Sequence, residues 1–227
     1  YAYLNPWKSV YDLKFLSEVL KNNIVVRISE EPFETGGIVY DRGTLVITRK
    51  GNETKGQRFD TLLRKISKKY NTNLRSVTSG LVTKGKDFGS STMRVVKAPE
   101  VAVLSGEEVS SYNFGEIWHY FEQQIGYPIS IYDASEIQSL PLDKIDVLIM
   151  PEGGYGSFVN EISPSEKIVE DTNADGLIIN EPPEGILDWV RSGGRLIVIG
   201  SAMEKFVDKS GYGLVKYDSK ESKKAAQ

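Results

Sequence analysis

Between residues 145 and 156 the pattern of apolar and polar positions is at its clearest. The run Val147-Leu148-Ile149-Met150 is bounded by Asp146 and Pro151. Four apolar residues are too few for a buried helix, and an unbroken run suits a strand covered on both faces. A central strand is therefore predicted here. It opens into Pro151-Glu152-Gly153-Gly154-Tyr155-Gly156, in which three glycines permit positive φ and leave backbone N–H groups unobstructed. Open α/β sheets place their ligands at such strand ends. Any site belonging to this chain is expected there.

In the first hundred residues, 1–4 read as a strand end. Asn5-Pro6 reads as an N-cap followed by the proline favoured at the first helical position, and Val10, Leu13, Leu16, Val19 and Leu20 follow at helical spacing. The predicted helix ends near Asn22-Asn23. Residues 24–28 form a predicted strand. After the break at Glu30-Glu31-Pro32, a hairpin is expected to run through Ile38-Val39-Tyr40, turn at Asp41-Arg42-Gly43 and return over residues 44–48. Residues 51–56 are polar loop. Phe59, Leu62, Leu63, Ile66 and Tyr70 mark a second amphipathic helix with a basic outer face, and short strands are predicted at 74–77 and 93–96. Pro99 punctuates the chain, and the boundary of a small α/β subdomain, residues 1–97 with its linker, is placed here.

From Val101 onward strands alternate with helices, which implies parallel pairing. Strands are predicted at 101–104, 129–132, 145–150 and 195–199, and a helix at 113–125 before the break Gly126-Tyr127-Pro128. Residues 163–180 read as an excursion from the sheet. A helix beginning at Glu181-Pro182-Pro183-Glu184 runs through Ile186, Leu187 and Val190 and stops at Ser192-Gly193-Gly194. Gly200-Ser201-Ala202 is a tight turn before a short helix at 203–207. This domain covers residues 98–217, and residues 218–227 are expected to fray.

Composition changes this picture in a few places. With 40% hydrophobic and 26% charged residues over 227 positions, the chain is an ordinary globular protein with enough material for one large core or two small ones. It contains no apolar run long enough to span a membrane. It opens Tyr-Ala-Tyr-Leu without Met, which predicts a piece of a longer protein. The absence of Cys removes disulfides, thiolate nucleophiles and cysteine metal sites. Residues 1–97 hold 18 Lys and Arg against 9 Asp and Glu, while residues 98–227 hold 10 against 22, so a net +9 and a net −12 make the chain's −3. No basic motif interleaved with aromatic residues accompanies the positive half, so the two halves are expected to face each other and no nucleic-acid partner is expected.

Two groups of motifs carry a resemblance. Leu-Asp-Trp-Val-Arg-Ser-Gly-Gly-Arg-Leu-Ile-Val-Ile-Gly-Ser-Ala, residues 187–202, resembles the helix, strand and sharp turn that present the nucleophile in the class I glutamine amidotransferase-like superfamily. There a Cys sits between small residues, and Ser201 falls at the matching position. Residues 146–156 resemble the same superfamily's oxyanion-side loop. The motifs at 86–90 (Lys-Asp-Phe-Gly-Ser), 98–106 (Ala-Pro-Glu-Val-Ala-Val-Leu-Ser-Gly), 115–122 (Gly-Glu-Ile-Trp-His-Tyr-Phe-Glu) and 146–151 (Asp-Val-Leu-Ile-Met-Pro) resemble, in order and spacing, the C-terminal region of large bacterial zinc carboxypeptidase-like (carboxypeptidase A-type) peptidases. In those proteins an amidotransferase-like domain follows the catalytic one. The resemblance implies a doubly wound, flavodoxin-like parallel sheet with helices on both faces. It also implies a periplasmic or secreted parent protein, with the peptidase site and its zinc in an upstream domain that partners this region. No cofactor is expected within the region itself.

The superfamily's chemistry is not complete in these residues. A nucleophilic Ser or Cys needs a base within hydrogen-bond reach. The single histidine, His119, precedes Ser201, whereas the superfamily's His follows the nucleophile. Ser201 is thus expected to be a degenerate nucleophile position with a structural role, and nothing in the sequence makes Glu204 or Lys205 a substitute base. His119-Tyr120-Phe121-Glu122 spells the H-x-x-E of zinc carboxypeptidases, and residues three apart share a helix face. Zinc wants more protein ligands than one His and one Glu, so no metal is expected here; Trp118 and Phe121 should pack while His119 is partly exposed.

Acidic residues Glu107, Glu108, Asp133, Glu136, Glu152 and Glu161 cluster around predicted strand ends, and Glu152 sits inside the glycine turn. Asp171, Asn173 and Asp175 alternate as in calcium loops, but Gly176 is out of place and no Glu closes the frame. The glycine turn lacks the Lys-Ser/Thr of a phosphate loop and the spacing of a dinucleotide fingerprint. Glu152, Gly153, Gly154, Tyr155, Gly156 and Ser201 are therefore the candidates for binding a small polar ligand or peptide. The expected function is that of a non-catalytic accessory region. The alternatives are an independent hydrolase or amidotransferase using Ser201 and Glu152, or a module that oligomerises through exposed aromatic residues.

Overall fold

The computed structural model describes residues 1–155, 185–208 and 211–215. Gly156, Glu161, the expected excursion at 163–180 with its calcium-like spacing, the helix start at 181–184 and the tail at 218–227 lie outside the described residues. The chain forms two compact units: Tyr1–Ala98 with His119–Pro128, and Pro99–Trp118 with the described residues from Ile129 onward.

The first unit contains, in chain order, β1 (Ala2–Asn5), α1 (Val10–Lys21), β2 (Arg27–Ser29), β3 (Phe33–Thr35), β4 (Ile38–Tyr40), β5 (Leu45–Thr48), α2 (Arg58–Tyr70), β6 (Arg75–Val77) and β7 (Met93–Val95). Five of the strands make an antiparallel sheet in the order β6-β1-β5-β2-β7. All four residues of β1 and of β5 are buried, and the period of two along a strand divides them between two cores. Tyr3, Leu45 and Ile47 join Phe15 and Val19 of α1 and Phe59, Leu63 and Ile66 of α2. Ala2, Leu4 and Val46 join Phe33, Tyr40, Phe88 and Met93. The sheet is thus covered on one face by both helices and on the other by β3, β4 and the segment carrying Phe88.

Two expectations for this unit are corrected. α1 begins at Val10, not at Pro6, and its N-cap is Ser9 in a capping box with Asp12. Asn5 cannot serve as the cap because it belongs to β1, paired with Leu45, and its Nδ2 donates to Asp12 Oδ1 at 2.8 Å. The other Asp12 oxygen accepts from Lys8 N at 2.9 Å and Ser9 N at 2.8 Å, so a nearly buried carboxylate anchors the helix start to the sheet. The hairpin is also different. β4 pairs with β3 through Gly36-Gly37, whose φ values of +59° and +74° suit a two-residue turn, whereas β5 pairs with β1 and β2. Asp41-Arg42-Gly43 connects the hairpin to the main sheet, since the apolar residues of β5 are needed in its centre.

The second unit contains β8 (Val101–Ser105), α3 (Ser111–Trp118), β9 (Ser130–Asp133), β10 (Val147–Met150), α4 (Ile186–Arg191) and β11 (Arg195–Val198), with 3-10 turns at Ala134–Ser139, Leu142–Lys144 and Gly200–Lys205. The strands form a parallel sheet in the order β11-β10-β8-β9, so the fold is mixed α/β with a four-stranded parallel sheet beside antiparallel ones. β10 is central, as its apolar run predicts, and Leu148, Ile149 and Met150 are buried. The edge strands are more open: β11 alternates and β9 is exposed except at Tyr132, leaving Ile131 and Ile197 exposed in register with the buried Val103 and Ile149. Ala102, Leu104, Leu148 and Met150 pack with Ile186, Trp189, Ala202 and Phe206 in one core. Trp189 Nε1 donates to Ile145 O at 3.0 Å, and a Cβ on Gly194 would lie 2.2 Å from the indole ring, so the Gly-Gly stop after α4 is needed for close approach.

The predicted helix at 113–125 is α3 continued by a π-helical stretch, His119–Ile125. The main division falls between Ala98 and Pro99, and His119–Pro128 also belongs to the first unit. There Gly126 O accepts from Ser17 Oγ and from Lys21 Nζ, each at 3.1 Å, which ties the end of the π-helical stretch to α1.

A pH dependence follows from the first unit. Tyr3 OH donates to Asp60 Oδ1 at 2.6 Å and Arg49 bonds the other oxygen. The Tyr3 hydroxyl first, and then the guanidinium, hold the Asp60 carboxyl below its ordinary value. A depressed folded-state value means that this stabilisation is present above the unfolded value of about 3.9 and is lost as pH falls through the folded one. Asp60→Asn is therefore expected to flatten the fall in stability between about pH 5 and pH 2, measured by urea denaturation across that range. An unchanged slope would contradict the assignment.

Candidate functional site

The candidate residues gather at the carboxyl ends of the parallel strands. From β8 the chain passes to β9 on one side and then to β10 on the other, so the strand order reverses between β8 and β10. Ligands of open α/β sheets bind in the crevice at such a reversal. The loops flanking it here are Gly106–Ser110 after β8 and 151–155 after β10.

These two loops are joined to each other. Ser110 N donates to Glu152 O at 2.8 Å, Gly154 N donates to Glu108 O at 3.0 Å, and Val109 pairs with Gly153 as an antiparallel bridge. The join requires glycine at 153, where a Cβ would lie 2.5 Å from Glu108 O. Behind it Tyr155 takes a left-handed backbone, φ +52°, and turns its ring into the core beside Val109. Its hydroxyl donates to Pro151 O at 2.9 Å, and burial pushes the phenol well above its ordinary value. The expectation of unobstructed amides is corrected for Gly154, whose N–H is already taken by Glu108.

β11 brings Ser201 to the same place. Ile199 N donates to Met150 O at 2.9 Å, which extends the β10–β11 pairing by one residue. Gly200 then turns with φ +62°, and a Cβ there would lie 3.1 Å from the side-chain carbons of Glu152. Ser201 is exposed, and among the described residues its Oγ makes one hydrogen bond, donated to Gly153 O at 3.3 Å. Glu152, Gly153, Gly154, Tyr155 and Ser201 are therefore neighbours, while Gly156 lies outside the described residues. A carbonyl oxygen accepts a hydrogen bond but does not deprotonate an alcohol, so this geometry orients the hydroxyl without activating it.

The other acidic residues divide. Asp133, at the end of β9, caps the following 3-10 turn: its Oδ1 accepts from Ser135 N at 2.9 Å and from Ser135 Oγ at 2.7 Å. Those bonds, the hydroxyl's first, hold its carboxyl below the usual range. It is a capping residue and not a free base. Glu107 and Glu136 are exposed, and Glu108 is half-buried in the join.

His119 and Glu122 lie in the π-helical stretch of the first unit, both exposed. A π-helix aligns residues five apart, and His119 Nδ1 lies 3.5 Å from Gln124 Nε2. Glu122 borders an open cavity of about 230 Å³ together with Lys21 and Pro128. Among the described residues no group of three or more Asp, Glu or His side chains is placed to hold a metal ion. Sequence reasoning missed the Glu108-Val109-Ser110 strip that closes the crevice; the only trace of it in the chain is an isolated valine between acidic and hydroxyl residues after a strand.

Comparison with known protein families, curated proteins and solved structures finds no match to this chain.

Gly153→Ala is expected to break the join between the two loops and lower the stability of the chain by about 1–3 kcal/mol, read by chemical denaturation. A variant as stable as the parent would show that the join carries no load.

Proposed function

We propose that this chain is a non-catalytic accessory region of a zinc carboxypeptidase-like metallopeptidase, built from a small α/β subdomain and a degenerate amidotransferase-like domain. The observation that carries the reading is the closed join at the reversal of strand order, with Ser201 Oγ bonded to a carbonyl. An amidotransferase-like site would need an imidazole at that hydroxyl or thiol and unengaged amides opposite it. The strand order, which in chain sequence is 2-1-3-4 from β9 to β11, supports a flavodoxin-like, doubly wound sheet with helices on both faces.

The four motifs between residues 86 and 151 support placing the region after a peptidase domain. On this reading zinc resides in that upstream domain, which is also the region's partner, and the parent protein is periplasmic or secreted. The strand-end cluster of Glu152 and Ser201 serves to bind a small polar ligand or peptide. A second reading, an independent hydrolase, is favoured by one observation: the Glu152 side chain lies against Gly200, in the turn that carries Ser201.

An assay of the chain with glutamine and with an activated ester separates the two. Wild type and Ser201→Ala are expected to be indistinguishable. A fall in kcat/KM of about 100-fold or more in the variant would overturn the accessory reading in favour of the hydrolase.

A further inference from the structure

The outer edge of β4 is the feature of the first unit that its own packing does not use. β3 and β4 form a separate two-stranded sheet, with Phe33 opposite Tyr40, Glu34 opposite Val39 and Thr35 opposite Ile38. Glu34 directs its backbone away from β4: its N–H donates to Lys84 O at 2.8 Å and its carbonyl accepts from Thr83 N at 2.7 Å. In an antiparallel pair, a residue opposite an outward-facing one faces outward as well. Val39 therefore presents its N–H and C=O on the far side of β4, where no further strand pairs among the described residues.

The edge is also chemically bare. Ile38-Val39-Tyr40 carries no charge and no proline, the usual means by which an exposed edge is protected. The Val39 side chain is 67% exposed. Beside it lies a cavity of about 100 Å³ bordered by Val39, Trp7, Lys8, Asp41 and Arg75. This is well below the roughly 300–1,000 Å³ of a pocket for a drug-sized molecule, and it suits a single side chain. Trp7 gives it an apolar wall, and both cations on its border are exposed, against the one carboxylate of Asp41. The net +9 of residues 1–97 adds to the same sign.

We propose that β4 is a docking edge for an extended acidic segment of a partner polypeptide. The segment adds a strand by exchanging backbone hydrogen bonds with Val39, seats one apolar side chain beside Trp7 and sets a carboxylate on Lys8 and Arg75. Main-chain pairing supplies affinity and the charges supply selectivity. The inference rests on the first unit alone, so it stands or falls separately from the reading of the parallel-sheet unit.

The test uses the whole chain and a short fluorescent peptide of alternating Glu and Val, read by anisotropy. The comparison peptides are one of alternating Lys and Val and an acidic one with methylated backbone nitrogens. Saturable binding of the acidic peptide is expected, with both comparison peptides weaker by about tenfold or more. Val39→Pro, which deletes the edge donor, and the surface double variant Lys8→Glu with Arg75→Glu are each expected to weaken the acidic peptide by a similar factor. The double variant alters only exposed side chains and keeps the test decisive if Val39→Pro fails to fold. Equal binding of the lysine peptide, or binding untouched by the double variant, would overturn the proposal, as would no binding of any peptide. A dimer seen by light scattering that Val39→Pro dissolves would assign the edge to a second copy of this chain instead.

Discussion

The main-chain join between the loops after β8 and β10 constrains everything around it. The two hydrogen bonds of a single antiparallel bridge close the point at which the strand order reverses, and the closure sets the direction of each neighbouring group. It turns Tyr155 inward to complete the core and leaves the Gly153 carbonyl facing the turn that carries Ser201. An open crevice would leave these backbone groups to water or to a ligand. Here the Ser110 and Gly154 N–H groups are met by the Glu152 and Glu108 carbonyls instead.

The first unit is held together differently. β1 and β5 are buried on both faces, and the two apolar clusters they divide between them account for the whole thickness of the unit. Its ion pairs lie on the outside. Arg49 with Asp60, Lys69 with Glu18, Lys84 with Glu34 and Arg94 with Glu30 all have at least one largely exposed partner, and pairs so open to solvent contribute little to stability. Cohesion is therefore mainly apolar, joined by two buried polar anchors: Asp12, which fixes the start of α1 to Asn5, and Asn52, whose side chain bonds Val25 N, Val25 O and Thr48 O. With cohesion settled by the core, the excess of basic residues is left to the surface, where it biases which partners can approach.

Much of the architecture could be read from residue order. The unbroken run at 147–150 marks a central strand, and the structure places β10 accordingly, while the equally apolar Leu196-Ile197-Val198 lies in an edge strand that its residues do not announce. Phe59, Leu63 and Ile66 mark the buried face of α2. The start of α1 and the register of the hairpin were misread for a common reason. Asn5-Pro6 and Asp41-Arg42-Gly43 carry strong local signals, and both lost to long-range pairing: Asn5 to Leu45 across the sheet, and β5 to β1 and β2.

Within the candidate site the same division holds. The glycine turn could be placed at a strand end from the alternation of elements, and Ser201 at a sharp turn by its motif, but that the two turns are neighbours is decided by strand order, which alternation does not give. The closure by Glu108, Val109 and Ser110 could not be foreseen, because backbone N–H and C=O groups are the same in every residue and no side-chain pattern announces which will meet. The chain by itself determined which segments are strands and helices and which faces are apolar, since these follow from spacing. Only the tertiary structure decided which backbone groups remain open, at β4, and which are closed, beside Gly153, since that depends on distances between segments far apart in the chain.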